Sequence, residues 1–470
     1  MAHGLPFLLA GCTVGPDYAP PQPALPSAYA AAAGGAGDAS SAEVAAVAEP
    51  LPRDWWLEFR DPTLALLVEQ ALVRSPDLRV AAARVREARA LQGVALGPQL
   101  PEVGANAAAT RSRRAEEGSF FPIPRSVQRE SSLWEAGFDA SYEFDLFGRV
   151  ERTVEAAGAD VAAAEAAADG AALTLVAEVA RRYVELRAAQ QRLALAGRHL
   201  SLQEEDGAVA RARAAAGVAD SLAADEADAA ARATEATLPR LAREVELARH
   251  QLATLLALPP AELPGALRDA ASALPSPPPI AAGVPAALLA KRPDLRRAER
   301  ELAAATARVG IATADLYPRL TLNGGLGLES LRIGTLGETG SSTWSVGPAL
   351  DWPLFQNGRL RQAIAAADAR VEQAAARFEQ AVIGALVEVE DALSARAREG
   401  ERRSALAAAK DAAQRALDSS RALFARGLVD SLHVIHAEER LLSTADEEVL
   451  AASGELLAAI ALAKALGGGG

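Results

Sequence analysis

The sequence contains few side chains suited to chemistry, and the most distinctive of them is its single cysteine. Cys12 follows Leu9-Ala10-Gly11 at the end of an apolar run that begins at Leu5. Small residues directly before a cysteine are typical of a bacterial lipoprotein signal, in which the cysteine is lipidated and becomes the mature N-terminus. We therefore predict a lipoprotein signal region over residues 1–12, with a covalent lipid on Cys12; a chance buried cysteine is the alternative.

Two histidines, His433 and His436, lie three residues apart and close to Glu438 and Glu439. This spacing is compatible with a metal ion on one face of a helix. Because no further ligand cluster accompanies them, a solvated helix is the favoured interpretation, and we predict no metal site and no cofactor besides the lipid. The acidic run at residues 204–206 is likewise interpreted as an exposed patch.

Catalytic motifs are also missing from the sequence. It contains no Ser-His-Asp arrangement, no Gly-rich phosphate loop and no paired-carboxylate motif, so an enzyme is not expected. A single cysteine can form neither an intrachain disulfide nor a Cys-based zinc site. The net charge of -13, with 48 Lys and Arg against 61 Asp and Glu, argues against nucleic-acid binding, since phosphate contacts need clustered basic residues.

The sequence contains an internal duplication, so its secondary-structure elements are expected to occur twice. Around Pro76 and Pro293 the two copies are offset by 217 residues, and around Gly148 and Gly358 the offset is 210. The second copy is therefore shorter by seven residues (217 − 210) in its middle. The repeated segments are Arg74–Arg79 with Lys291–Arg296, Leu146–Arg149 with Leu354–Arg359, and Gly217–Leu222 with Gly427–Leu432.

The duplication predicts the organisation of the whole chain. After the signal region, an extended N-terminal arm covers residues 13–60, and the first repeat covers 61–258. A proline-rich linker at 259–285 leads into the second repeat at 286–466, and 467–470 form a C-terminal tail. Each repeat is predicted to contain a helix, a β-hairpin and a long helix pair, which gives an α+β fold.

The hairpin segments alternate between apolar and polar residues, the period of a strand. Their strands are about ten residues long, which is the length a tilted strand needs to cross a bilayer. Aromatic residues near the ends of the apolar face predict a membrane girdle; a small soluble sheet with one wet face is the alternative. The predicted girdle residues are Trp134, Tyr142, Phe144, Trp344 and Trp352.

The opposite face of the same strands carries carboxylates, which are costly to bury without partners. Four membrane strands cannot close a barrel, because the two end strands would leave backbone groups unpaired in hydrocarbon. Two chains would give eight strands filled by side chains, whereas three would give twelve strands and a lumen. We therefore predict an oligomeric, water-filled channel with five pore-lining candidates: Glu135, Asp139, Glu143, Asp145 and Asp351.

Each hairpin is followed by a long segment with the apolar period of a coiled coil. Between Gly148 and Gly217 there is no proline, and apolar residues recur in steps of three and four, as at Val176, Val179 and Tyr183. Roughly 65 residues in a helix predict a rod of about 100 Å. Gly217 and Gly427 are predicted to reverse the two long helices.

A set of short motifs runs along the chain in a fixed order. The motifs are Cys12 with Val14–Tyr18 and Pro21, Arg292-Pro293-Asp294, Tyr317-Pro318, and the corners Phe147-Gly148-Arg149 and Asn357-Gly358-Arg359. Taken in order, they resemble the TolC family of outer-membrane factors, in its lipidated OprM/NodT-like branch, and the resemblance covers nearly the whole chain. It implies a homotrimer with a 12-stranded transmembrane β-barrel in the outer membrane of a Gram-negative bacterium and a 12-helix α-barrel in the periplasm.

The resemblance also implies a function: a passive exit duct of a tripartite efflux system. Its partners would be outer-membrane lipid, a periplasmic adaptor and an inner-membrane pump of the RND class, which together export drugs or other small molecules. A structural periplasmic coiled coil or an adaptor-like lipoprotein without a channel is the alternative.

The two glycine turns correspond, in the resemblance, to the periplasmic tip where the adaptor docks. Ordinary turn and capping chemistry explains the same residue types, and the two interpretations are compatible. Asp220 and Asp430 would additionally place carboxylates near a narrowing pore and favour cations. The predicted tip residues are Gly217, Val218, Asp220, Ser221, Leu222, Gly427, Leu428, Asp430, Ser431 and Leu432.

Overall fold

The computed structural model describes residues 13–30, 52, 54–115, 130–218, 221–268, 274–280 and 282–468. Within these residues the two repeats fold into matching series of elements. The first series is α1 (Pro62–Arg74), α2 (Pro76–Leu96), β1 (Glu102–Arg113), β2 (Glu130–Phe144), α3 (Arg149–Ala215) and α4 (Leu222–Leu255). The second is α5 (Leu288–Lys291), α6 (Pro293–Ala314), β3 (Arg319–Ser330), β4 (Ser342–Asp351), α7 (Arg359–Ala425) and α8 (Ser431–Ala465).

A proline separates the first two helices of each repeat. Proline lacks the amide hydrogen needed inside a helix and disfavours the helical conformation of the residue before it. The backbone of Ser75 is accordingly extended, and α2 begins at Pro76. The start of α1 is capped by Asp61, whose carboxylate accepts hydrogen bonds from the amides of Thr63 and Leu64 at 2.8 and 3.1 Å.

The four strands form one antiparallel sheet in the order β1-β2-β3-β4. The two predicted hairpins are therefore joined through β2 and β3, which pair along Trp134–Phe144 and Leu320–Ser330. A single row across the sheet runs from Ala105 through Phe138 and Leu326 to Trp344. Alternate rows point to opposite faces, so the register assigns each side chain to one face.

The long helices α3 and α7 contain 67 residues each, which corresponds to about 100 Å of helix. The equality of their lengths reflects the duplication. Val179, Tyr183 and Val389, at positions of the predicted apolar period, are fully buried. The 3.5-residue pattern thus marks the packed side of these helices.

The chain divides into two compact units, each assembled from segments of both repeats. The first spans Met1–Pro21, Arg84–Ala164 and Ala298–Phe378, and it includes the sheet. The second spans Gln22–Ala83, Glu165–Arg297 and Glu379–Gly470, and it includes α4, α8 and the segment between the repeats.

In the second unit, the described part of the proline-rich segment is fixed to the long helices. Arg187 and Gln190 of α3 donate hydrogen bonds to the carbonyls of Ala266 and Leu267 at 3.1 and 2.7 Å. Arg396 of α7 donates to the carbonyls of Pro278 and Ile280 at 2.9 and 3.0 Å. Backbone carbonyls that proline-rich sequence cannot satisfy in a ladder are thus satisfied by helix side chains.

Among the residues that the structure describes, none of the helices combines the length and the apolar character needed to cross a membrane.

Candidate functional site

One face of the sheet is apolar, and in the single chain it is exposed. The exposed fractions of Phe138, Leu326, Trp344 and Val346 are 61, 64, 77 and 66 %. The register places all four on the same face, in two neighbouring rows. A contiguous apolar surface of this kind marks an interaction with another protein or a membrane.

Two aromatic residues lie near the helix-side end of this face, and the membrane girdle stays a prediction. The rings of Tyr142 and Phe144 make an edge-to-face contact with centroids 5.2 Å apart. Trp352, just after β4, donates its indole hydrogen to the carbonyl of Leu316 at 3.2 Å. Aromatic side chains with one polar end suit a boundary between hydrocarbon and water. Trp134 lies towards the opposite end of β2.

The other face of the sheet is polar and built around a carboxylate flanked by glycines. Asp139 pairs in register with Gly104 on one side and Gly325 on the other. A Cβ at position 104 would lie 3.0 Å from both carboxylate oxygens of Asp139, so glycine leaves the room that this side chain occupies. Glu135 pairs with Glu329 across the same face, which brings two like charges opposite each other.

The remaining pore candidates lie at the helix-side end of the strands. Glu143 accepts two hydrogen bonds from the guanidinium of Arg149, at 2.9 and 2.6 Å. The carboxylate of Asp145 accepts a hydrogen bond from the amide of Glu151 in the first turn of α3, at 2.8 Å. Asp351 pairs in register with Arg319. Glu143 and Asp145 thus have structural partners, and the pore-lining role of all three acids stays a prediction.

The N-terminal arm is fixed beside this end of the sheet, in the same unit. The hydroxyl of Thr13 donates to Glu151 at 2.7 Å, and the amide of Val14 donates to the carbonyl of Phe147 at 3.2 Å. The guanidinium of Arg152, which is 6 % exposed, donates to Asp17 at 2.5 Å. Cys12 itself lies outside the described residues.

The glycine turns end both long helices in the same way. Gly217 and Gly427 have φ of +69° and +73°, and the amides of Val218 and Leu428 bond back to the carbonyls of Arg213 and Leu423 at 3.0 Å each. This is the Schellman ending, in which glycine adopts the left-handed conformation without strain.

Exposed apolar side chains follow both turns. The exposed fractions of Val218, Leu222 and Leu428 are 77, 60 and 67 %. Asp430 caps α8 by accepting from the amide of His433 at 3.2 Å. A further hydrogen bond with the His433 ring holds the pKa of Asp430 below its usual value, so this carboxylate is ionised at neutral pH. Asp220 lies outside the described residues.

The chain matches a known family over most of its length. The family model described as outer membrane efflux protein covers residues 67–258 and 284–468, that is, both repeats. The chain belongs to this family.

Individual relatives agree with the family. The chain is 32 % identical over 453 residues to Nodulation protein T of Rhizobium leguminosarum bv. viciae, covering 96 % of the chain and 89 % of that protein. It is 31 % identical over 465 residues to the solvent efflux pump outer membrane protein SrpC of Pseudomonas putida, covering 98 and 96 %. The solved outer-membrane channel OprN superposes with a TM-score of 0.86 at 36 % identity, over 97 % of the chain and 99 % of OprN.

These similarities confirm three predictions for this outer membrane efflux protein. Its fold is that of the TolC-like channels, its location is the outer membrane, and its role is an efflux channel. The repeats matched separately by the family model are the two copies found in the sequence.

The histidine cluster of the efflux protein forms separate pairs. His433 pairs with Asp430 at 2.6 Å and His436 with Glu439 at 3.4 Å. Across the described residues, no group of three or more His, Cys, Asp or Glu side chains could hold a metal ion. The prediction of a solvated helix is wrong for Glu438, which is 1 % exposed and bonded to Arg421. Its burial could not be predicted from the local pattern, because its partners come from other helices.

Proposed function

We propose that three copies of this outer membrane efflux protein close into one channel, the exit duct of a tripartite efflux system, which conducts passively without catalysis. The observation that carries this proposal is the four-stranded sheet, which has one exposed apolar face and one polar face. Among the described residues, β1 and β4 have no strand on their outer sides. In hydrocarbon such edges leave amides and carbonyls unsatisfied, and strands from a second copy would satisfy them.

Three copies suit the polar face better than two. An eight-stranded barrel has an interior that side chains fill, whereas twelve strands (three times four) leave a lumen. The polar face carries Glu135, Asp139 and Glu329, which have no adjacent basic side chain in register among the described residues. Buried in a filled interior these carboxylates would be costly, but a water-filled lumen solvates them. The apolar face would then contact outer-membrane lipid.

The exposed apolar residues at the two helix turns support a docking surface for the periplasmic adaptor. Val218, Leu222 and Leu428 extend from rigid Schellman turns, and exposed apolar side chains on rigid elements are typical of interaction sites. Through this adaptor the duct would receive drugs or other small molecules from an inner-membrane pump, which we propose to be of the RND class.

The fixed N-terminal arm supports a lipid anchor on Cys12. Thr13, the next residue, contacts the corner at Gly148 directly after the sheet. A lipid on Cys12 would therefore enter the membrane beside the helix-side end of the barrel. Mass spectrometry of the purified protein tests this directly: the wild type should carry acyl chains, and Cys12→Ser should carry none.

Extraction from outer membranes in detergent tests the channel proposal. We expect a band at the trimer mass without heating, which heating converts to the monomer, and a stable ion conductance after reconstitution into planar bilayers. A monomer recovered from the periplasm without detergent would contradict the proposal and favour the structural coiled coil.

A further inference from the structure

A group of ionisable side chains around the buried Glu438 joins three helices of the second unit; the side chains of Asp206 and Arg421 are partly exposed. Glu438 of α8 is 1 % exposed and accepts a hydrogen bond from Arg421 of α7 at 2.7 Å. The same guanidinium nitrogen lies 3.6 Å from a carboxylate oxygen of Asp206 on α3. We call Asp206, Arg421 and Glu438 the acid pair cluster. With two carboxylates and one guanidinium, its formal charge is −1 when both acids are ionised.

The cluster has too few hydrogen-bond donors: Arg421 donates to one oxygen of Glu438, and two other carboxylate oxygens have no donor. Oδ2 of Asp206 and Oε2 of Glu438 are both buried and have no hydrogen-bond partner, although the two carboxyl groups interact directly. An ionised carboxylate only accepts hydrogen bonds, so two ionised groups facing each other cannot satisfy one another. A single proton changes this, because it turns one of the two oxygens into a donor to the other.

Among the side chains that the structure describes, Arg421 is the one that donates a hydrogen bond to the acid pair, and two polar side chains nearby have unpartnered atoms of their own. On α3, the side chain of His199 is buried, and its Nε2 has no hydrogen-bond partner. Burial and Arg421 lower the pKa of His199, and Glu439 opposes the shift. Gln203, also buried on α3, has an unpartnered side-chain oxygen.

The remaining neighbouring helix contributes an apolar contact. Beside Asp206, a Cβ at Gly207 would lie 3.6 Å from the methyl group of Ala227 on α4. The charged group that acts directly on Glu438 beside Asp206 is Arg421; Glu439 acts on His199, and the guanidinium of Arg211 lies 3.5 Å from a Cβ at Gly207. Burial, and after it the adjacent carboxyl group of Asp206, raises the pKa of Glu438 to about 7.

We propose that Asp206 and Glu438 hold one proton between them and that its loss loosens the packing of α3, α7 and α8. Both residues lie 11 positions from a turn, since 217 − 206 and 438 − 427 are both 11. At 1.5 Å per residue this is about 16 Å along the helix. The shared proton thus lies near the turn end of the helices. In the proposed duct, this is the end that would open towards the adaptor.

The direction of the pH effect follows from linkage. The ordinary pKa of glutamate is 4.5, and in the packed helices the pKa of Glu438 is about 7. Between these two pH values Glu438 therefore binds a proton when the helices are packed and loses it when they separate. This contribution to packing is complete below that window and falls as the pH rises through it. Packing at the cluster is therefore tightest in acid and loosest above neutral pH.

Substitution of the acid pair by its neutral analogues tests the proposal on the full-length protein in detergent. Glu438→Gln supplies the missing donor permanently, and Asp206→Asn does so from the other side. Either variant should unfold at the same temperature as the wild type at pH 5 and at a temperature higher by roughly 2 °C at pH 8. Glu204→Gln, an exposed change on the same helix, is the matched control and should show no pH-dependent difference.

A second measurement follows the opening of the duct, and this consequence rests on the proposed function. In planar bilayers the wild-type conductance should rise between pH 5 and 8, and Glu438→Gln should stay at the low value throughout. Unfolding differences that are equal at pH 5 and pH 8 for both variants, or that Glu204→Gln reproduces, would overturn the inference. Loss of conductance in every protein at every pH would instead count against the proposed channel, and the unfolding measurement would be unaffected.

Discussion

Arg292 forms several hydrogen bonds in the second repeat, and the first repeat has a different residue at its position. The side chain is buried, and it donates to the carbonyl of Ala465 at 2.8 Å and to the carboxylate of Asp294 at 3.0 and 2.7 Å. It also pairs with Glu388 of α7 at 2.7 Å. The equivalent position in the first repeat is Ser75, since 292 − 217 = 75. The duplicated motif therefore has different roles in its two copies.

Replacing Arg292 by alanine should destabilise the protein by about 3 kcal/mol, because a buried cation and its charge-assisted hydrogen bonds are lost together. The measurement is the midpoint of thermal unfolding in detergent. Arg74→Ala, an exposed arginine directly before Ser75, is the control and should leave the midpoint nearly unchanged. Equal effects of the two substitutions would show that the bonds of Arg292 contribute no net stability.

At Asp430, a substitution can remove the negative charge of the side chain and still leave a residue that caps α8. Asparagine caps helices as well as aspartate does, so Asp430→Asn removes the charge and keeps the start of α8. Combined with Asp220→Asn, it should lower the preference of the reconstituted channel for cations over anions. Reversal potentials in a salt gradient measure this preference, and an unchanged reversal potential would rule out these carboxylates as its source.

At the scale of elements, the two strand-to-helix corners provide an internal comparison. Gly148 and Gly358 both have positive φ, at +76° and +79°. A Cβ at Gly148 would lie 2.5 Å from Thr13, whereas a Cβ at Gly358 would meet no described atom within 4 Å. Within the described part of the chain, the first corner therefore contacts the N-terminal arm and the second does not.

Gly358→Ala should cost about 1 kcal/mol, the strain of a left-handed alanine, and Gly148→Ala should cost more because it also displaces the arm. Limited proteolysis near the N-terminus measures the displacement. Gly148→Ala should be cleaved faster than the wild type, and Gly358→Ala should be cleaved at the wild-type rate. Identical cleavage of the two variants would indicate that the arm does not depend on this contact.

Local periodicity predicted the elements well, because period two and period 3.5 reflect burial on one side of a strand or helix. The turns at Gly217 and Gly427 followed from backbone chemistry in the same way. The contacts of the arm were not predictable, since residues 13–30 carry no periodic pattern. The burial of Glu438 was also missed, because Asp206 lies 232 residues earlier in the chain (438 − 206).

At the scale of the whole molecule, a charged side chain introduced on the apolar face of the sheet should hinder assembly, and one introduced on the polar face should be tolerated. Val346 lies on the apolar face and Thr343 on the polar face of the same strand. An arginine facing lipid near the middle of the bilayer costs about 2–4 kcal/mol, whereas an arginine facing water costs little. Val346→Arg should therefore reduce the amount of heat-modifiable trimer in outer membranes, and Thr343→Arg should leave it near the wild-type level. Equal yields would contradict the assignment of the faces.

The arm also constrains the order of events during biogenesis. Gly15 lies against the backbone of Gly310, where a Cβ would come within 2.5 Å of its Cα, and Tyr18 bonds to Glu299. These residues of the arm thus find their places only after almost 300 later residues have been made and α6 has formed. Until then the arm lacks these contacts, so a cysteine directly before it would be accessible to acylating enzymes before folding confines it.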